Sequence, residues 1–280
     1  MRDFLRYSMK VYKGIGNLFK EFKLRGFSNI KIIGSEKGNV ELIMYLEEDY
    51  EDSNIEEALE KIKLALSFAF KVKVTEPVLL EKKINDKHEI SNEMWVTFNV
   101  IQESTVKELE QLDEELKLEF DEERSKYYKM FRNAANQDDI LIQYLLLYHI
   151  LMIIYDDSQK EIDEFILGYY DLQIAEEKYN GNVDSENRDK IRKISEQEAS
   201  YLQTKEYKNG NKGNETIFSR LRNQIAHKRK DVEGNVITSE STKKAIGEYM
   251  DKFKDIVAYA IKNAQGHRKW DTETDSLSQL

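Results

Sequence analysis

The period of apolar and polar positions changes near residue 104, dividing the chain into two parts. Before that point short strand-like runs surround one helical stretch. Residues 29–33 and 39–46 are rich in strand formers and flank Gly34-Ser35-Glu36-Lys37-Gly38, which predicts a hairpin with a five-residue loop. Ile55, Leu59, Ile62, Leu64, Leu66 and Phe70 have mostly helical spacing and predict a helix over 55–70. Residues 72–80 and 94–101 alternate or run apolar, as strands do. The first 103 residues read as a small α+β domain.

Beyond residue 104 the chain reads as long helices, with no glycine until Gly168. Ser104 or Thr105 can cap a helix running to about Asn136, and the pair Asp138-Asp139 can cap an apolar helix over 140–155. Further helices are predicted over 161–179, 186–202, 215–230 and 241–264. Two Gly/Asn-rich turns, 180–184 and 208–214, separate them, the second leaving Asn214 as N-cap of the helix that follows. Residues 104–264 thus form an all-α helical bundle, and 265–280 a polar tail expected to fray. The fold class is α+β.

Composition narrows the function classes. The chain has no cysteine, so thiolate metal sites and cysteine nucleophiles are excluded, and an apolar leader is missing after Met1; a cytoplasmic location is the expectation. The apolar run 140–155 includes Gln143 and His149 and falls short of the roughly 18 apolar residues of a membrane span, so it reads as a core helix and no membrane partner is expected. A net charge of -10 argues against indiscriminate coating of nucleic acid. That average conceals an asymmetry. Residues 101–200 carry 12 Lys and Arg against 25 Asp and Glu, whereas residues 201–280 carry 15 against 11. Arg220, Arg222, Lys228, Arg229 and Lys230 fall within eleven positions, which predicts a local anion site on an acidic body.

Within that basic stretch, residues 215–230 read E-T-I-F-S-R-L-R-N-Q-I-A-H-K-R-K. On a helix, Ile217, Leu221 and Ile225 form an apolar stripe and Arg220, Asn223 and His227 a polar one. Arg222 and His227 point about 140° apart. They can be brought together by a curled arginine side chain, by a break in the helix near Ala226, or by a second copy of the segment.

Arg222, Asn223 and His227 resemble the R-x4-H motif of HEPN-domain proteins, many of which are metal-independent ribonucleases. The resemblance covers about residues 104–264. It adds Tyr148-His149-Ile150-Leu151 and Ile162-Asp163-Glu164-Phe165-Ile166, which look like the core helix pair of abortive-infection-type relatives. Met152 stands where those relatives often carry an acidic residue, and Lys228 and Arg229 replace the His-x-Tyr extension of members inactivated by nucleotidylation. The resemblance implies a homodimer whose two motifs line one cleft and cleave RNA, leaving a 2′,3′-cyclic phosphate. His227 would be the acid/base, Arg222 the phosphate clamp and Asn223 a polar helper orienting one or the other, with Arg220, Lys228, Arg229 and Lys230 binding the RNA backbone. A histidine titrating near neutrality and a bidentate guanidinium suit that chemistry. Phage defence or a toxin system, with an unidentified antitoxin or regulatory partner, is the implied setting. The rival is a non-catalytic nucleotide- or RNA-binding module.

Other features carry less. His149 reads as a hydrogen-bonded core histidine, and Asp156 and Asp157 as solvated helix-end residues able to approach the motif. The four histidines lack metal-ligand spacing, so neither metal nor cofactor is expected. Gly14-Ile15-Gly16 follows no run that the pattern predicts as a strand and lacks the third glycine of a dinucleotide loop.

Overall fold

The structure, a computed structural model, describes residues 3–12, 18–35, 38–85, 87–90, 105–118, 122–181, 183–203, 214–227 and 239–273. These divide into two compact units, Met1–Gln137 and Asp138–Leu280.

The first unit contains strands β1 (Phe4–Lys10), β2 (Phe19–Phe22), β3 (Phe27–Gly34) and β4 (Asn39–Leu46), helix α1 (Asp52–Phe70), strands β5 (Val78–Ile84) and β6 (Lys87–Ile90), and helices α2 (Val106–Lys117) and α3 (Glu122–Ala135). The strands form one antiparallel sheet in the order β2-β3-β4-β1-β5-β6. The expected hairpin is β3–β4, with Ile32 opposite Leu42 and Gly34 opposite Val40. Alternation fixes its register: Val40, Leu42, Met44 and Leu46 are buried on one face, and a slip of one residue would expose all four.

That buried face packs on α1, whose Ala58, Ile62, Ala65, Leu66, Ala69 and Phe70 enter the same core. The helix begins where Asn54 Oδ1 accepts from the Glu51 backbone N–H at 3.0 Å and ends at Lys71, left-handed at φ 54°. The strand expected over 72–80 starts later than the apolar pattern suggested. Val74 makes only an isolated bridge with Val11, and the ladder begins at Val78. The strand expected over 94–101 lies outside the described residues.

Residues 104–136 form two helices instead of one, because α2 ends at Lys117 and Leu118 is extended. Thr105 is its N-cap, accepting from the Glu108 N–H. Both α2 and α3 fall in the first unit, so the chain divides at Gln137/Asp138 and not at 103/104. The reason is where their apolar sides go. Leu112 and Leu116 of α2 complete the core of the sheet unit, and Phe68 of α1 stacks on Tyr128 of α3 at 4.1 Å, with Phe131 edge-on at 5.2 Å.

The second unit comprises α4 (Ile140–Ile154), α5 (Gln159–Tyr179), α6 (Ser185–Glu198), the two-residue strands β7 (Leu202–Gln203) and β8 (Asn214–Glu215), α7 (Ile217–His227) and α8 (Ser239–Glu273). Asp139 caps α4, accepting from the N–H groups of Leu141 at 2.8 Å and Ile142 at 3.3 Å, and Ser158 caps α5. The α4–α5 corner places Asp156 and Asp157 in the left-handed region, at φ 47° and 60°. Asn214 is not the cap of α7: it pairs in an antiparallel ladder with Gln203, and the helix starts after Thr216. For the same reason α6 stops at Glu198, short of the predicted 202. Residues 265–273 continue α8 as helix rather than fraying.

Phe253 of α8 anchors this unit, stacked on Tyr144 of α4 at 4.5 Å and on Phe218 of α7 at 5.2 Å. Among the described residues, no single helix is long and apolar enough to cross a membrane.

The division at Gln137 has a direct test. A fragment of residues 1–137 is expected to unfold cooperatively in urea, whereas a fragment of residues 1–103 lacks Leu112, Leu116 and Tyr128 and should not. Equal cooperativity of the two would reject the assignment.

Candidate functional site

Eleven residues form α7, too few to be stable alone in water, so its neighbours decide where its side chains go. Phe218 and Leu221 are buried toward α4 and α8, while Asp163 of α5 fastens the first turn. Its Oδ1 accepts from the Thr216 N–H at 3.1 Å, the Thr216 hydroxyl at 2.6 Å and the Ser219 hydroxyl at 2.7 Å. Asp163 is 2% exposed, and its Oδ2 is buried as well, with none of these three donors on it. Burial pushes this carboxyl above its ordinary value, and the Thr216 and Ser219 hydrogen bonds oppose the shift only in part.

The Ser219 hydroxyl also meets the Tyr148 hydroxyl at 2.7 Å. Since the one Ser219 proton points at Asp163, Tyr148 is the donor in that pair. Burial raises the Tyr148 phenol well beyond its usual range, keeping it protonated.

Arg222 lies one turn further along α7. Its Cζ is 5.7 Å from the centre of the Tyr148 ring, Nη1 donates to Asn223 Oδ1 at 3.0 Å, and Nη2 approaches Met152 Sδ at 3.6 Å. Every one of these partners is neutral. Among the described residues no carboxylate forms an ion pair with Arg222. Arg220 differs: its Nε sits 3.4 Å from Glu215, a buried acid, so part of its charge is already answered.

Asn223 is 4% exposed and fully engaged. Beyond accepting from Arg222, its Nδ2 donates to Glu215 Oε2 at 3.2 Å and to Gln159 Oε1 at 3.3 Å. It therefore orients the guanidinium of its sequence neighbour, whereas orientation of the histidine or the phosphate was expected.

The backbone of α7 stays helical through His227, so the break near Ala226 does not occur and the roughly 140° divergence from Arg222 stands. The side chain of His227, and the whole of Lys228, Arg229 and Lys230, lie outside the described structure. His149, expected in the core, is exposed on α4. Asp156 and Asp157 are exposed at the α4–α5 corner and form no hydrogen bond or ion pair with Arg222. Among the described residues no three His, Asp or Glu side chains converge as a metal site.

Sequence reading missed Asp163, Gln159, Glu215 and Ser219 as parts of this assembly. The signal for Asp163 was available: it shares a helical face with Ile166, Leu167 and Tyr170, all buried, and an acid in phase with an apolar stripe must find partners inside. Glu215 and Ser219 had no such signal, since Glu215 meets Arg220 and Asn223 only through the turn from β8 into α7, and the partners of Ser219 come from α4 and α5.

No family model, no curated protein and no solved structure matches the chain.

The buried carboxyl sets a pH dependence. With a folded pKa above the unfolded value of about 3.9, the stability Asp163 contributes is full below that value and is lost as pH rises through the folded pKa. In urea titrations wild type should lose stability relative to D163N as pH climbs out of the acid range. A difference that does not vary with pH would show the group ionising normally.

Proposed function

We propose that the second unit is a HEPN-type, metal-independent endoribonuclease that acts as a homodimer, with Arg222 holding the scissile phosphate and His227 moving the proton. The observation that carries this reading is the guanidinium of Arg222, fixed in place by an amide oxygen, a thioether and an aromatic face, with no carboxylate among the described residues to neutralise it. A cation held rigidly by neutral groups presents its whole charge to an incoming anion and needs no prior ion pair to break. Met152 matters here. An acid at that position, 3.6 Å from Nη2, would close a salt bridge; methionine leaves the charge for phosphate.

The straight course of α7 supports a second copy as the source of a composite cleft, since on one chain Arg222 and His227 diverge. Helix α4 supplies a surface for it. From Ile140 to Ile154 the helix has no charged residue, and Ile142, at 49% exposed, lies on one side with Leu145 and His149. In a chain of net charge -10 an uncharged apolar face is where two copies can approach without repulsion. In this reading cleavage uses His227 as the acid/base against the ribose 2′-hydroxyl, Asn223 keeps the Arg222 fork aimed, and the remaining cations Arg220, Lys228, Arg229 and Lys230 track the RNA backbone. A cytoplasmic role in phage defence or a toxin system follows from the family resemblance.

Labelled RNA incubated with enzyme in EDTA tests the chemistry. H227A should lose about 10²- to 10⁴-fold in rate and R222A about 10²-fold or more, with N223A intermediate because Arg222 survives but is no longer aimed. Cleavage that survives both R222A and H227A would remove the site, and RNA bound but left intact by wild type would favour a binding module. For the dimer, light scattering should give two chains for wild type and one for I142E, with cleavage lost in parallel; an active wild-type monomer would overturn the composite cleft.

A further inference from the structure

We infer that Asp163 is a positioning residue for Arg222, acting through the hydroxyl of Ser219 on the Tyr148 ring and through Thr216 on the first turn of α7. Its consequence for RNA rests on the ribonuclease reading; the positioning itself does not.

A buried carboxylate is costly, and Asn or an apolar residue on the inner face of α5 would avoid that cost. Asp163 instead collects three donors on one oxygen. Two of them, the N–H and hydroxyl of Thr216, determine where α7 begins and how it is rotated about its axis. The third, Ser219, is committed to Asp163 and so can only accept from Tyr148. That chain of hydroxyls holds the phenol at its far end, and the phenol ring is the surface over which the Arg222 guanidinium rests. One side chain of α5 thus controls both the helix that carries the arginine and the ring on α4 that supports it. The network is directional and short. Breaking it at any link removes the same one of the guanidinium's three supports, whereas a residue that served only to stabilise the unit would leave the local environment of Arg222 unchanged.

The Arg222 Nε–H resonance of the full-length ¹⁵N-labelled protein reads this directly and needs no substrate; its assignment comes from its disappearance in R222K. S219A, Y148F and D163A should each shift and broaden that signal, and D163N, whose amide oxygen accepts the same three donors, should restore it close to wild type. If D163A fails to fold, S219A and Y148F, which remove one oxygen each, decide the matter. An unmoved resonance in folded S219A and Y148F would overturn the inference. Single-turnover cleavage supplies the second arm: D163A should slow wild type by about 10- to 100-fold and slow R222A no further. Wild type that leaves RNA intact while the resonance responds as expected would sink the ribonuclease reading and leave the positioning standing. Normal cleavage with an unmoved resonance would do the reverse.

Discussion

The three hydrogen bonds converging on one oxygen of Asp163 join α5 to the start of α7, and the rest of the site depends on that junction. A short helix with one apolar stripe has little intrinsic stability, so its register is set from outside. Phe218 and Leu221 supply the burial that keeps α7 in place, but apolar contacts tolerate rotation and sliding. The aspartate does not. It specifies which residue starts the helix and therefore which side chains two turns later face α4.

The same junction explains how an arginine with no acidic partner among the described residues can be tolerated. A guanidinium that is only half buried still loses part of its hydration, and it is compensated by weak, neutral contacts from Asn223, Met152 and Tyr148. Each of those is itself tied down: Asn223 by Glu215 and Gln159, Tyr148 by Ser219. Rigidity of the surround takes the place of a counter-charge. Among the described residues the cation is thus held by neutral groups alone.

Much of this fold was legible in the sequence, for physical reasons that differ by element. The β3–β4 hairpin followed from strict alternation, and the start of α4 from Asp139 beside an apolar run; both are local signals. The division of the chain was not local. Leu112 and Leu116 have the spacing of any amphipathic helix, and nothing in that spacing says whether they cover a sheet or another helix. The site divides in the same way. Arg222 and Asn223 stood out as a motif, but their geometry is set by Asp163, Glu215 and Met152, residues brought near only by tertiary packing. Asn214 looked like a helix cap because asparagine favours that place, and the short ladder with Gln203 used it otherwise.

That ladder has a further consequence. Strands β7 and β8 pair Leu202 with Glu215 and Gln203 with Asn214, which fixes the main chain at residues 203 and 214 side by side. Ten residues, 204–213, join the two strands in the sequence. The entropy of closing such a segment grows only with the logarithm of its length, about 0.6 kcal/mol for each doubling. The stem thus insulates α7 from whatever sequence is carried beyond it. Descendants of this chain can lengthen, shorten or exchange that decapeptide without redrawing the helix that bears the arginine.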